Sequence, residues 1–297
     1  VGDGFALSEA SNSPVMLQLR IKSCHLLGEF ETKENIPPTM TVKDALENPK
    51  RDLARVVLPP ASFLHEQEKV TKRLPAAIKY IRNHNLNENF GPEQGKIGII
   101  CQGGLYNSVI RALQRLGLAN MYGDCDVPLH VLNVTYPLVD DDLLAFAKGK
   151  DSILVIEEGH PAYIEQNIRA ILHKAGALCA VDGKGPFPEA GELTGTVLLD
   201  GISTYLHDAA SDLMPPVARA PNAPPVLTMP ELTATVPARP PSFCIGCPER
   251  PIFAATKLVE EELGPHHIAS DIGCHLFSIN APFDIGATTM GYGLGPA

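Results

Sequence analysis

Two cysteines, Cys244 and Cys247, follow a proline-rich stretch in the run PPSFCIGCPERPIF. A Cys-x-x-Cys pair can be a metal clamp, a redox dithiol or a pair of small buried side chains. A third cysteine, Cys274, comes after the next predicted strand, with His275 beside it. Three thiolates suggest a metal, although a zinc ion or an iron–sulfur cluster takes four soft ligands. The spacing alone leaves the three interpretations open.

The second candidate is the glycine-rich run DIGATTMGYGLGPA at residues 284–297. Glycines at 286, 291, 293 and 295, interspersed with small threonines, indicate a backbone that closely approaches another group. Glycine-rich turns also serve simply to pack a helix on a strand. This run alone therefore does not establish a binding site.

Two further groups of residues follow predicted strands. Glu157, Glu158 and His160 could touch a cofactor or a partner domain, but acids at such positions are more often solvated or placed at helix N-termini. The turn at residues 101–104 (Cys-Gln-Gly-Gly) precedes a helix and could bind an anion. It lacks the spacing of the Walker and Rossmann motifs, which weakens that interpretation.

Composition excludes several classes of protein. The chain has 297 residues and a net charge of -10, and its basic groupings are short, which argues against a nucleic-acid partner. Seven cysteines without a dense framework favour the reducing cytoplasm over a secreted, disulfide-bonded scaffold. The longest apolar runs have the length of strands, so we expect no membrane span.

Alternating strands and helices predict an α/β domain with a parallel, helix-covered sheet over residues 93–205. The predicted strands are KIGIIC, LHVLNV, SILVIEE, LCAVDG and TVLLD. The predicted helices between them are YNSVIRALQRLG, DDDLLAFAKG and PAYIEQNIRAILHKAG.

The flanking regions are less regular. SPVMLQLRIKSCH at 13–25 is a strand candidate, 31–66 is a connector, and 67–84 reads as a helix interrupted by a proline. Nine prolines at 214–241 indicate an extended linker. Beyond it, PIFAATKLVEEELG predicts a helix with Ile252, Ala255, Val259 and Leu263 on one face, and HHIASDIG a strand. We expect the chain to be truncated at both ends.

These blocks together resemble a known family. RPPSFCIGCPERPIF, SDIGCH and TTMGYGLG are similar to the start of the thiamine diphosphate domain of 2-oxoacid:ferredoxin oxidoreductases of the indolepyruvate type. Upstream, ALSEASNSPVMLQLRIKSCH resembles the end of that family's pyrimidine-binding domain. IGIICQGGLYNSVIRALQRLG, VTYPL and ILVIEEGHPAYIEQNIRAIL resemble its transketolase C-terminal-like domain, and GELTG resembles the approach to its linker.

The resemblance implies a domain plan. Residues 1–30 would end the pyrimidine-binding domain, and 31–92 would be a connector with a helix. The transketolase C-terminal-like domain would span 93–205, the proline-rich linker 206–241, and the start of the thiamine diphosphate-binding domain 242–297. His25 could then face the thiamine region, although a surface histidine is an equally good interpretation.

The resemblance also implies an activity and a site. Such enzymes decarboxylate a 2-oxoacid oxidatively to an acyl-CoA, using thiamine diphosphate, Mg²⁺ and a [4Fe-4S] cluster that passes electrons to ferredoxin. Cys244, Cys247 and Cys274 would be cluster ligands. Gly273, Met290 and Gly291 would line the thiamine site. The expected partners are the 2-oxoacid, coenzyme A, ferredoxin and other domains or subunits of the same enzyme.

Some features depart from the family pattern. Relatives often carry a histidine after the proline that follows the second cysteine, whereas here the run is PERP. Gly2-Asp3-Gly4 resembles the diphosphate motif but lies too early, so we treat it as a decoy. The glutamate that activates the cofactor would precede Val1. We therefore expect these 297 residues alone to be inactive.

Two other functions remain open. One is a non-catalytic, transketolase-like assembly module whose cysteines hold zinc. The other is a cluster-free thiamine-dependent decarboxylase, which would share the glycine-rich run but would have no use for three aligned cysteines.

Overall fold

A computed structural model describes residues 1–19, 27–29, 31–32, 34–35, 37, 41–49, 56–213, 236, 242–286 and 289–291. The chain forms two compact units, Val1–Ala218 and Arg219–Ala297. The boundary between them falls inside the proline-rich stretch. No helix in the described part is long and apolar enough to cross a membrane.

The first unit contains a five-stranded sheet with the strand order β1-β3-β2-β4-β5. All pairs are parallel except β1 with β3. The predicted α/β fold with a parallel sheet is confirmed, whereas the short antiparallel edge strand β1 was not predicted. The strands are β1 (Glu88–Phe90), β2 (Ile97–Gln102), β3 (Leu129–Leu132), β4 (Ser152–Ile156) and β5 (Ala180–Asp182).

Helices cover both faces of this sheet, because the central strands are apolar on both sides. One core lies under the helices at 106–115 and 195–209, and the other under those at 140–147 and 163–174. The helices are α5 (Tyr106–Arg115), α6 (Asp140–Ala147), α7 (Tyr163–Lys174) and α8 (Gly195–Ala209).

The prediction of a strand at TVLLD was wrong, because these residues belong to α8. A short apolar run cannot be assigned to strand or helix from periodicity alone. Here the Thr194 side chain accepts a hydrogen bond from the N–H of Val197 and caps the helix. Because α8 runs to Ala209, residues 206–209 of the predicted linker are helical, and residues 214–235 and 237–241 lie outside the described part.

In the N-terminal region, helices lie before the predicted strand at 13–25 and within the predicted connector at 31–66. Residues 14–19 are not in a strand, and 20–25, including His25 and Cys24, lie outside the described residues. The Gly2-Asp3-Gly4 decoy lies in α1. The helices are α1 (Gly2–Ser11), α2 (Val42–Glu47), α3 (Ala61–Glu68) and α4 (Leu74–Asn83).

A single π-helical turn, Lys69–Arg73, joins α3 to α4 just before Pro75. Proline has no N–H for the carbonyl four residues earlier, and a π turn is one local adjustment to such a gap. The interruption by proline was predicted correctly, but the helical region starts earlier than residue 67. Leu7 of α1 packs with Ala77 and Ile81 of α4 in a small separate core.

The second unit contains α9 (Arg250–Leu263), β6 (Ala269–Asp271), a 3-10 helix (Cys274–Ile279) and β7 (Thr289–Gly291). The strands β6 and β7 pair in parallel. The predicted helix and strand are both present, but the predicted apolar face of α9 is not buried: Ile252, Val259 and Leu263 are exposed.

Candidate cofactor and thiol site

A tight turn presents the first two cysteines. The N–H of Cys247 donates to the carbonyl oxygen of Cys244 at 3.2 Å, and Gly246 has a φ of 72°. A left-handed φ favours glycine, so Gly246 suits its place in this turn. The N–H of Arg250 then donates to the Cys247 carbonyl at 3.4 Å as α9 begins.

The other candidate residues lie at the carboxyl edge of the β6–β7 pair. Asp271 stands opposite Gly291, and the N–H of Ile272 donates to the Gly291 carbonyl at 2.8 Å. Gly273 follows with a φ of 128°, and Cys274 begins the 3-10 helix. The parallel register therefore places Gly273, Cys274 and Gly291 at one strand edge, where α/β proteins commonly bind ligands.

Met290 is only partly located. Its backbone pairs with Ser270 in the strand register, whereas its side chain lies outside the described part of the structure. Its predicted place beside the pyrimidine stays a prediction.

Electrostatics link the three cysteines, which we call the thiol site (Cys244, Cys247 and Cys274). The pKa of Cys274 is raised, first by partial removal from solvent and then by negative charge on Glu249, Cys247 and Cys244. Cys244 and Cys274 are exposed, and Cys247 is half-buried. The two segments that carry the thiols approach each other, since Oε2 of Glu249 lies 3.8 Å from Nε2 of His275.

The three cysteines suit an iron–sulfur cluster better than a single metal ion. In the described residues, no three His, Cys, Asp or Glu side chains are grouped closely enough to hold one metal ion. An iron–sulfur cluster is larger than one ion, so the thiolates that bind it lie farther apart, and cysteine is its usual ligand. Three neighbouring, accessible thiols fit such a cluster as part of its ligand set.

An acid and an imidazole lie beside the thiol site. Oε2 of Glu249 is buried, has no hydrogen-bond partner among the described residues, and lies 3.8 Å from Nε2 of His275. His275 was predicted beside Cys274, whereas Glu249 was not predicted as part of the site. The acid lies two residues after Cys247 in the PERP run, which was the available signal.

Four aromatic residues, which we call the phenylalanine cluster, lie in the same segments and were not predicted as part of the site. Their rings make contacts with centroid separations from 5.2 to 5.9 Å. The members are Phe243, Phe253, Phe277 and Phe283. The sequence feature that could have indicated this cluster is the position of Phe243 and Phe253 on either side of the Cys-x-x-Cys pair.

The acids at the end of β4 have structural roles in the first unit. Both carboxylate oxygens of Glu157 accept the backbone N–H of Ile164 at the start of α7. Oε2 of Glu158 accepts the N–H of Leu193 at 2.9 Å. The helix N-terminal interpretation is confirmed for Glu157. His160 is exposed.

The turn after β2 is also occupied by protein contacts. Oε1 of Gln102 accepts the N–H of Glu158 at 2.9 Å, which ties β2 to β4. Cys101 is buried, and burial raises the pKa of its thiol to about 12. These contacts favour a structural role over an anion site.

A half-open cleft of about 590 Å³ lies in the first unit, beside the N-terminal half of α7. No pattern in the sequence predicted this cleft, because its walls come from separate segments. It is lined by Thr135, Tyr136, Leu138, Asp140, Glu157, Tyr163, Ile164, Asn167 and Ile171.

Comparison with known proteins finds a similarity in the sheet domain. Residues 87–202 match the profile of the indolepyruvate oxidoreductase domain family. Over these residues the chain is similar to that family. The match covers the five-stranded sheet and most of its helices.

The similarity to curated proteins named IorA extends over nearly the whole chain. The chain is 29% identical to indolepyruvate oxidoreductase subunit IorA of Methanothermobacter marburgensis, covering 99% of this chain and 44% of the relative. It is 28% identical to IorA of Thermococcus kodakarensis, covering 97% of this chain and 42% of the relative. The resemblance to the indolepyruvate-type family is therefore confirmed. The chain spans less than half the length of these relatives.

A solved structure is also similar. It is a 2-oxoglutarate:ferredoxin oxidoreductase from Magnetococcus marinus with 2-oxoglutarate, coenzyme A and succinyl-CoA bound. The identity is 18%, the TM-score is 0.36, and the likeness covers 67% of this chain and 29% of that one.

Proposed function

We propose that the chain is part of an oxidoreductase that converts an aryl 2-oxoacid of the indolepyruvate type, with coenzyme A, to an acyl-CoA and carbon dioxide. Electrons would leave through an iron–sulfur cluster to ferredoxin. The similarity to IorA over nearly the whole chain supports the substrate class. Other domains or subunits of the same enzyme would complete the active site.

One observation carries the assignment of the site. Asp271 lies opposite Gly291 in the β6–β7 register, so Gly273 and Cys274 follow directly at the same strand edge. A cofactor bound at this edge would lie close to the thiol of Cys274, whose pKa is raised in part by negative charge on Cys247 and Cys244. The arrangement supports a short path from the cofactor to the cluster.

The chain's own residues would bind and orient the two groups. Gly273 and Gly291 lack side chains, which lets backbone groups approach a diphosphate closely. Cys244, Cys247 and Cys274 would supply three of the cluster's thiolates, and the phenylalanine cluster would exclude water from one side. When bound, thiamine diphosphate with Mg²⁺ supplies the carbon nucleophile and electron sink for decarboxylation, and the cluster accepts single electrons.

The test is metal analysis of the complete enzyme complex, purified without oxygen. Wild type is compared with Cys244→Ser, Cys247→Ser and Cys274→Ser. Cys179→Ser is the matched control, since Cys179 is a free, partly exposed cysteine in the first unit. We expect each of the three variants, but not the control, to lose about four iron and four sulfide per chain.

Turnover is measured in the same preparations as 2-oxoacid-dependent reduction of ferredoxin in the presence of coenzyme A. We expect indolepyruvate to support it in wild type and the control. Zinc in place of iron would point to the assembly module instead. Unchanged iron in all three variants, with turnover intact, would remove the thiol site from the electron path.

A further inference from the structure

Phe243 is the hub of the phenylalanine cluster. Its ring centroid lies 5.2 Å from that of Phe253, 5.8 Å from that of Phe277 and 5.6 Å from that of Phe283. The contacts with Phe277 and Phe283 are edge-to-face, at 84° and 85°. Such geometry is favourable for aromatic pairs and constrains the rings more than simple apolar contact does.

The four rings come from the segments that carry the thiols. Phe243 directly precedes Cys244, and Phe253 lies in α9, which follows the Cys244–Cys247 turn. Phe277 lies in the 3-10 helix that starts at Cys274. Phe283 is 8% exposed and closes the cluster from the following loop. Hydrogen bonds hold the turn internally, whereas the Phe243–Phe277 contact spans the two segments.

The imidazole next to Cys274 joins the same cluster. The His275 ring meets the Phe253 ring edge-on, with centroids 5.6 Å apart. The residues on both sides of the thiol site are therefore held by the same set of rings.

We propose that Phe243 is a positioning residue for the thiol site. Its ring fixes the Cys244–Cys247 turn against the segment that begins at Cys274, and it shields that side from water. The inference rests on the proposed function, in which these cysteines hold an iron–sulfur cluster.

Two measurable effects follow from this role. Loss of the ring lets the distance between Cys274 and the other two thiols vary more. The reason is that no other ring in the described residues contacts Phe253, Phe277 and Phe283 together. Water then reaches the cluster more easily. Since the reduced cluster carries more negative charge than the oxidised one, added solvent favours the reduced form and raises the reduction potential.

The experiment uses the complete complex with Phe243→Leu, and Phe243→Tyr as the conservative variant. Phe90→Leu is the control, because Phe90 is a partly buried phenylalanine that contacts Tyr106 in the first unit. The first readout is the midpoint potential of the cluster, from a redox titration followed by electron paramagnetic resonance. We expect a positive shift in Phe243→Leu and none in Phe243→Tyr or Phe90→Leu.

The second readout needs no cluster. Metal-free protein is treated with the short bifunctional thiol reagent dibromobimane, and mass spectrometry measures the cross-link between Cys274 and the Cys244–Cys247 turn. We expect the cross-linking rate to fall about tenfold in Phe243→Leu, because small misplacements of reacting groups have large effects on rate. Phe243→Tyr restores the wild-type rate.

The two readouts separate failure of this inference from failure of the proposed function. If wild type binds no iron, the cluster assignment fails, while the cross-linking rates still test the positioning role. If wild type binds the cluster but Phe243→Leu matches Phe90→Leu in both potential and cross-linking rate, the positioning role is overturned and the cluster assignment stands.

Discussion

The carboxylate of Glu157 accepts two hydrogen bonds from the backbone N–H of Ile164, at 3.0 and 3.1 Å. The N–H of Glu165 donates to the same carboxylate at 3.1 Å. Glu157 is 7% exposed, so this acid at the end of β4 caps the start of α7 from a buried position. A residue that could have been assigned to ligand binding is thus committed to holding a helix on its sheet.

Removing this cap should destabilise the first unit. We expect Glu157→Ala to lower the free energy of unfolding by about 2 kcal/mol, because buried N–H groups lose a charged acceptor. Urea denaturation measures the change, with the exposed Glu189→Ala as control. Equal stability of the two variants would mean that water replaces the carboxylate at no cost.

Burial of His130 predicts a loss of stability in acid. His130 is 2% exposed, and burial lowers its pKa from 6.5 to about 4. Because the unfolded chain takes up the proton first, stability is complete above pH 6.5 and declines as the pH falls towards 4, by up to about 3 kcal/mol.

This decline should disappear in His130→Gln, which has no titrating ring. Unfolding free energies of wild type and variant are compared at pH 7.5 and 4.5, and the exposed His207→Gln is the control. If the variant loses as much stability in acid as wild type, His130 is not the cause.

Tyr205 ties α8 to the sheet through a buried hydroxyl. Its O–H donates to Oγ of Ser152 at 3.0 Å, and Ser152 donates to Oδ2 of Asp182 at 3.1 Å. We expect Tyr205→Phe to cost about 1 kcal/mol. A double-mutant cycle with Ser152→Ala measures the coupling, and zero coupling would contradict the hydrogen bond.

Burial of the Tyr205 hydroxyl also leads us to expect that the first unit loses stability at alkaline pH. Burial raises the pKa of Tyr205 from 10 to about 12. Its stabilisation is therefore complete below pH 10 and declines as the pH rises towards 12. Thermal unfolding across this range should be less pH-dependent in Tyr205→Phe, and identical profiles would contradict the assignment.

Gly201 allows α8 to approach the loop before it. A β-carbon at this position would overlap the ring of Phe187. We expect Gly201→Ala to destabilise the first unit by about 1–3 kcal/mol through overpacking. Gly195→Ala in the same helix meets no neighbouring atom and serves as control in thermal unfolding. A stable Gly201→Ala variant would show that Phe187 moves freely.

At the candidate site, Gly273 is held in a conformation that other residues rarely adopt. Its φ is 128°, although the space for a β-carbon is open. We expect Gly273→Ala to shift the strand edge and weaken thiamine diphosphate binding by about tenfold, equivalent to strain of roughly 1–3 kcal/mol. Gly286→Ala, with open space and no positive φ, is the control in a calorimetric titration of the complete complex. Equal affinity of the two variants would contradict the role of Gly273.

Much of the sheet domain follows from the sequence. Apolar runs such as those of β2 and β4 are short, continuous and separated by amphipathic helices, so only a helix-covered parallel sheet buries them on both faces. Where that pattern weakens, prediction failed. Residues 197–200 (Val-Leu-Leu-Asp) are apolar enough for either a strand or a helix, and only the cap at Thr194 and the packing of Leu198 and Ile202 settle the choice.

The sequence by itself determined the cysteine spacing, the glycine positions, the alternation of strands and helices, and the likeness to the indolepyruvate-type family. Only the tertiary structure decided that Gly273, Cys274 and Gly291 share one strand edge, that Glu157 caps a helix, and that Phe243 joins the two thiol-bearing segments. The physical reason is that local patterns report whether each segment is apolar, polar or turn-forming. Which segments meet depends on strand register and ring packing between residues far apart in the chain.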